Sequence, residues 1–232
     1  MPPITFAHRG ARSVEPENTI PAFRRALELG ASGLESDAWV TGDGEVVLVH
    51  DGRVRRGFRR RSVGNTPADD LRRRGVPRLS ELYAELGSDF ELSLDLKDPR
   101  AGSGAIEAAR VGGDPTRLWL CTPRLDLLDE LRPGARDVRL VHSCRRDALR
   151  SSVERHAADL GEAGIDAMNL HHSDWSAGLV TLFHRFGVLA FAWDAQQVRQ
   201  LRAALQKGVD AVYCDDVARM VSVLDAWQKE AR

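Results

Sequence analysis

Residues 4–40 read ITFAHRGARSVEPENTIPAFRRALELGASGLESDAWV. A short β-rich run (4–8) gives way to a polar stretch, then to apolar residues three and four apart (21–29), then to a second β-rich run (33–40). The hydrophobic period thus changes from about 2 to about 3.6 and back. Two strands joined through a helix lie parallel in one sheet. The same alternation continues to the end of the chain. Further strand-like runs fall at 90–97, 117–122, 138–143, 167–172, 188–193 and 211–215, and helix-spaced segments at 79–86, 105–111, 125–131, 148–160, 179–186, 198–205 and 217–227. Eight strand and helix pairs predict a closed parallel (β/α)8 TIM barrel. A doubly wound open sheet would need a glycine-rich phosphate turn after its first strand, and HRGARS (8–13) is not one.

The chain has 232 residues, 43% of them apolar, enough for one sizeable core, and no linker or internal repeat divides it. We therefore read 1–232 as a single domain. A formal net charge of −1 supplies no long-range field of one sign, so neither nucleic acid nor an anionic membrane is an expected partner. No apolar run reaches the roughly 20 residues of a bilayer span, and no apolar leader core follows Met1. The three cysteines, Cys121, Cys144 and Cys214, show neither metal-ligand nor redox spacing. A soluble protein in the reducing cytoplasm is expected. Oligomeric state is not legible.

One interruption, 38–78, follows the second strand. TGDGE (41–45) places a Gly-Asp-Gly turn between two alternating runs, so VVLVH (46–50) is expected to return antiparallel. Partner numbers should then sum to 85 or 86, bringing His50 level with Glu35 and Ser36. A basic stretch (53–61), read as solvated surface or an anion-attracting loop, and a short helix beginning near Pro67 complete this hairpin insertion.

In a parallel barrel all C-terminal strand ends meet at one rim, where catalytic groups sit. Glu35 and Asp37 leave the same face of their strand, Asp95 and Lys97 repeat that spacing, and His8 closes the first strand. Three carboxylates with no nearby cysteine make an oxygen-rich site suited to Mg²⁺, Ca²⁺ or Mn²⁺. Read individually, Glu35 and Asp37 also fit a solvated edge, and Asp95 with Lys97 an internal ion pair. The chain holds only two other lysines, Lys207 and Lys229, so an ammonium at 97 hints at a compact anion contact. His8 and His50 are the natural acid and base, because imidazole titrates nearest neutrality. Arg9 offers a fork for phosphate oxygens, or for Glu15 or Glu17. Asn18 or Thr19 is expected to cap the helix that carries Pro21 in its first turn. Trp193 ends the seventh strand as an apolar wall over a ligand or as a barrel-lining aromatic. Asn169, His171 and His172 read as loop residues, and His142 and Asp215 carry no distinctive spacing. No G-x-S-x-G elbow supports a serine hydrolase.

The ordered elements HRG (8–10), PENT (16–19), ExD (35–37) and HD (50–51) resemble the glycerophosphodiester phosphodiesterase family, and the likeness continues through VPRLSEL (76–82), LSLDLK (92–97), FAWDAQ (191–196) and GVDAVYCDD (208–216). The resemblance implies a (β/α)8 barrel that uses a divalent metal to cleave glycerophosphodiesters to an alcohol and glycerol 3-phosphate. It assigns His8 and His50 to acid and base, Glu35, Asp37 and Asp95 to the metal, Arg9 and Lys97 to phosphate, and Glu17 to the acidic place of PENT. Three departures stand out: Asp95 in DLK where the family usually has glutamate, HDGRVRRG after the second histidine, and Asp194 where threonine is common. A similar DLK occurs in sphingomyelinase D-like phospholipases, so release of a cyclic phosphate is an alternative outcome. A non-catalytic phosphodiester-binding barrel is the third reading, and it gives no reason to keep two histidines.

Overall fold

The computed structural model describes residues 2–56 and 59–230. Eight parallel strands form the barrel: β1 (Ile4–His8), β2 (Gly33–Val40), β6 (Glu91–Leu96), β7 (Leu118–Thr122), β8 (Arg139–Ser143), β9 (Ala167–His171), β10 (Leu189–Trp193) and β11 (Ala211–Cys214). Between β2 and β6 lie the non-barrel strands β3 (Val46–Leu48), β4 (Arg53–Arg56) and β5 (Arg59–Ser62). The barrel closes because β1 pairs with β11 on one side and with β2 on the other.

Alternation along the strands sorts side chains into two cores. Phe6, Trp119, Val141, Phe191 and Tyr213 fill the barrel interior, whereas Leu34, Leu92, Leu120, Leu140 and Leu170 face the surrounding helices. The helices are α1 (Ile20–Glu28), α2 (Ala68–Arg72), α3 (Leu79–Leu86), α4 (Ala101–Gly112), α5 (Leu125–Leu131), α6 (Val153–Glu162), α7 (Ala177–Arg185), α8 (Val198–Gln206) and α9 (Val217–Glu230). No helix among the described residues is long and apolar enough to cross a membrane.

The hairpin register is the expected one: Ala38 faces Leu48, and Val40 faces Val46. The returning strand is shorter than its sequence suggests and ends at Leu48, because the chain leaves the β2 edge after the Val49 N–H reaches the Asp37 carbonyl. The basic stretch folds as the antiparallel ribbon β4–β5, with Gly57 and Phe58 outside the described residues. The short helix near Pro67 is α2. The helical spacing read over 148–160 does not hold at its start. Ser152 accepts the Arg155 N–H as an N-cap, so α6 begins only at Val153.

Candidate active site

The first turn of the rim is built by backbone constraint. Arg9 and Asn18 both hold left-handed φ, at 57° and 56°, and the Asn18 N–H donates to the Arg9 carbonyl at 3.0 Å. Gly10, at φ 79°, lies so close to α1 that a Cβ would come within 2.8 Å of Ala22. A side chain there would push the loop off the helix. Non-glycine residues held in this region cost stability and concentrate at functional sites. Thr19 is the cap of α1 and accepts the Ala22 N–H, which leaves Asn18 for another role. Asn18 donates from Nδ2 to Asp37 Oδ2 at 3.3 Å and accepts the Ser36 hydroxyl at 2.7 Å.

Strand register sets the acidic groups side by side: His8 faces Glu35 across β1–β2, and Asp37 faces Asp95 across β2–β6. Glu35 is buried, and its Oε2 accepts the Arg9 N–H at 3.0 Å. Burial first, then the charges of Asp37 and Asp95, push its carboxyl up to about 7 against the opposing pull of His8. Lys97 Nζ lies between the other two carboxylates, 2.5 Å from Asp95 Oδ2 and 3.3 Å from Asp37 Oδ1. Burial would lower the Lys97 ammonium, but Asp95 and Asp37 outweigh it and raise it. Arg9 pairs through Nε with Asp37 at 3.3 Å and through its terminal nitrogen with Glu17 at 3.0 Å, and Arg12 reaches Glu17 at 2.8 Å.

His8 Nδ1 is 2.6 Å from Asp215 Oδ1, and its Nε2 is 3.8 Å from Glu35. Burial opposes the charged imidazole, yet Glu35 and Asp215 prevail and raise His8 above its ordinary value. Asp215 is itself lowered: burial raises it, and the bond from His8 overcomes that. An ionised Asp215 only accepts, so Nδ1 carries the hydrogen and Nε2 is left facing Glu35. Gln196 braces Asp215 by accepting its backbone N–H at 2.9 Å.

A cavity of about 580 Å³ opens at this end, lined by His8, Arg9, Glu35 and Asp95 on one side and by Ser143, Arg145, Asn169, Trp193, Asp194 and Gln196 on the other. Ser93, Cys121 and Tyr213 form its floor, with the Ser93 hydroxyl 3.2 Å from Cys121 Sγ and 3.0 Å from the Tyr213 hydroxyl. Trp193 is therefore part of the wall. Glu17, Asp37 and Lys97 reach the site through the ion pairs described above. His50 is brought less close. Its carbonyl accepts the Trp39 indole N–H at 3.3 Å, but its ring bonds Asp51 at 2.9 Å, is 40% exposed, and is not among the cavity-lining residues.

Glu35, Asp37 and Asp95 supply an all-oxygen donor set. Burial is the largest cause of the upward push on Glu35, with the charges of Asp37 and Asp95 behind it, so a cation placed among the three carboxylates would be electrostatically favoured. Among the described residues no group of three or more acidic, imidazole or thiol side chains is arranged to hold a metal ion, and Lys97 stands between two of the three carboxylates.

Sequence reasoning passed over Asp215 and Asn169. Asp215 lies one residue beyond β11, and Asn169 lies within β9, buried and facing the cavity, so it is not the loop residue expected. The signal for Asn169 was present in the i, i+2 spacing, because Ala167, in the barrel-interior core, fixes the inward parity of that strand. His142 has the opposite parity and packs outward, its Nδ1 3.0 Å from His156 Nε2 on α6.

Residues 8–100 match the model of the glycerophosphoryl diester phosphodiesterase family. The chain is 26% identical to a glycerophosphodiester phosphodiesterase of Caldanaerobacter subterraneus subsp. tengcongensis, over 97% of this chain and 98% of that protein. Its fold is similar to a crystal structure of glycerophosphodiester phosphodiesterase from Thermotoga maritima, with TM-score 0.83 and 22% identity over 95% of this chain and 97% of that one. It is also similar to a phosphodiesterase from Oleispira antarctica in complex with the product sn-glycerol-3-phosphate, with TM-score 0.82 and 20% identity over 97% of each chain. At these identities the solved structures establish the shared barrel.

Proposed function

We propose that the chain is a member of the glycerophosphodiester phosphodiesterase family and that it hydrolyses glycerophosphodiesters to an alcohol and glycerol 3-phosphate. The observation that carries this reading is the convergence on one rim of His8, Arg9, Glu35, Asp37, Asp95 and Lys97. The complex of the Oleispira relative with sn-glycerol-3-phosphate supports the same product.

Glu35, Asp37 and Asp95 would hold a divalent cation. When bound, such an ion neutralises nonbridging phosphate oxygens and makes a nearby hydroxyl more acidic. Arg9 lines the cavity and Lys97 adjoins it through Asp37 and Asp95, and the two would bind the phosphate oxygens on which charge accumulates. His8, held by Asp215 with Nε2 directed inward, transfers one proton, and His50 is the second proton-transfer group. One imidazole removes the proton of a glycerol hydroxyl as its oxygen attacks phosphorus. The bond to the leaving alcohol breaks, and the other imidazole protonates the alkoxide. Water then opens the resulting cyclic phosphate with the roles reversed. His50 would contribute through the loop after β3, where the Trp39 indole N–H anchors its carbonyl.

Product analysis on glycerophosphodiesters with added Mg²⁺, Ca²⁺ or Mn²⁺ tests this reading. Glycerol 3-phosphate and free alcohol are expected. A cyclic phosphate as final product would place the enzyme with the sphingomyelinase D-like lyases, and no cleavage of any diester would leave a binding barrel.

A further inference from the structure

Asn169 sits on β9, four places from β2 in the barrel's strand order and so across the cavity from the carboxylate cluster. It is 5% exposed. Its Nδ2 donates to the Ser143 hydroxyl at 3.1 Å, and its Oδ1 has no hydrogen-bond partner among the described residues. A buried amide with one unmet end is costly in a free protein and is retained where a ligand meets it. Its neighbours in the wall are also hydrogen-bonding groups: Ser143, Asp194 and Gln196. Asp194 is held at φ 61°, a strained backbone that aims this short stretch at the rim.

We infer that the leaving alcohol of the substrate is polyhydroxylated, a glycerol, sugar or cyclitol, and that Asn169 selects it by hydrogen-bonding one of its hydroxyls. This rests on the phosphodiesterase reading. A hydroxyl both donates and accepts, so it satisfies the open end of the amide whichever way the amide is turned. A trimethylammonium group satisfies it in neither orientation. Such a cation prefers an aromatic face, and here the Arg145 guanidinium already lies 6.0 Å from the centre of the Trp193 ring. A primary ammonium donates to the amide oxygen but accepts nothing, so it answers only one orientation of the amide, and its charge meets both Asp194 and an Arg145 that is paired with Asp174.

The test keeps the glycerol phosphate half constant and varies the alcohol: the diesters of glycerol, inositol, ethanolamine and choline. Wild-type kcat/KM is expected to favour the glycerol and inositol esters over the choline ester by roughly tenfold or more. Asn169→Leu, similar in size but apolar, should erase that preference, mainly through KM, and leave the choline ester within about twofold. Equal or better turnover of the choline or ethanolamine ester by the wild type overturns the inference, even if the Leu variant does not fold. An equal loss on all four esters overturns it too, because Asn169 would then serve the common half or the fold. If no diester is cleaved, the phosphodiesterase reading fails separately. Calorimetric titration with the intact inositol and choline diesters then decides: tighter binding of the former, lost in Asn169→Leu, supports the inference, and equal binding overturns it.

Discussion

Around the rim, β1, β2 and β6 carry His8, Glu35 and Asp37, and Asp95, with Lys97 one residue beyond β6, whereas β7 to β10 present Cys121, Ser143, Asn169 and Trp193. The first arc is crowded with charge, and burial together with the neighbouring carboxylates lifts Glu35 to about 7. The second arc is mostly neutral and leaves an amide oxygen unmet. The contrast separates two tasks within one cavity. Handling a phosphate needs fixed charges whose positions are tied to one another, while recognising an alcohol needs shape and a few hydrogen bonds. The family model covers the first arc, residues 8–100, and none of the second.

The contrast breaks most severely if the charged arc works without metal. Chelation with EDTA is expected to abolish turnover, and Mg²⁺, Ca²⁺ or Mn²⁺ to restore it; full turnover in chelator would remove Glu35, Asp37 and Asp95 as ligands. Next in size, His8→Ala and His50→Ala should each lower kcat by about 10²-fold or more, with melting little changed because both sit at the rim. Single-turnover assays beside thermal melts check this. His50 is the sharper test, since its ring bonds Asp51 and stays outside the cavity lining.

Smaller effects sharpen the division. If Asp95 binds the cation, metal affinity should fall in the order wild type, Asp95→Glu, Asp95→Asn, the last by roughly tenfold or more, because it removes a charge at nearly constant shape. If Asp95 instead serves only Lys97, 2.5 Å away, the Asn variant melts lower and binds metal as well as wild type does. Calorimetry of apo protein with each cation, alongside melts, distinguishes the two.

The smallest expected effect lies outside the cavity. His142, buried against His156 on α6, is pushed down to about 4, by burial first and then by the neighbouring imidazole. Its folded value is below its ordinary value of 6.5, so the unfolded chain binds the proton more readily between the two. The associated stability is complete above pH 6.5 and declines as pH falls toward 4, by roughly 1 kcal/mol at pH 5.5. Denaturant titrations between pH 5 and 8 should show this slope in wild type and a flatter one in His142→Asn. Equal slopes would mean that the pair carries no acid sensitivity.

Spacing alone was enough for the barrel and for the charged arc. Eight alternations of period dictate parallel strands, and the i, i+2 placement of Glu35 with Asp37 and of Asp95 with Lys97 sends each pair to one face. The hairpin register followed from its turn in the same way, since antiparallel partners keep a constant sum. What no local pattern contains is which side chains meet once the cylinder closes. Asp215 is 207 residues from His8, yet it bonds that imidazole because β11 pairs with β1. Lys97 comes between Asp37 and Asp95 because β2 and β6 are in register. Asn169 looked like a loop residue until β9 turned it inward. Local sequence determines strand, helix and facing parity through interactions a few residues apart; barrel closure decides the partners, because only there are groups from distant strands driven into one buried volume where every charge and hydrogen bond has to be answered by another.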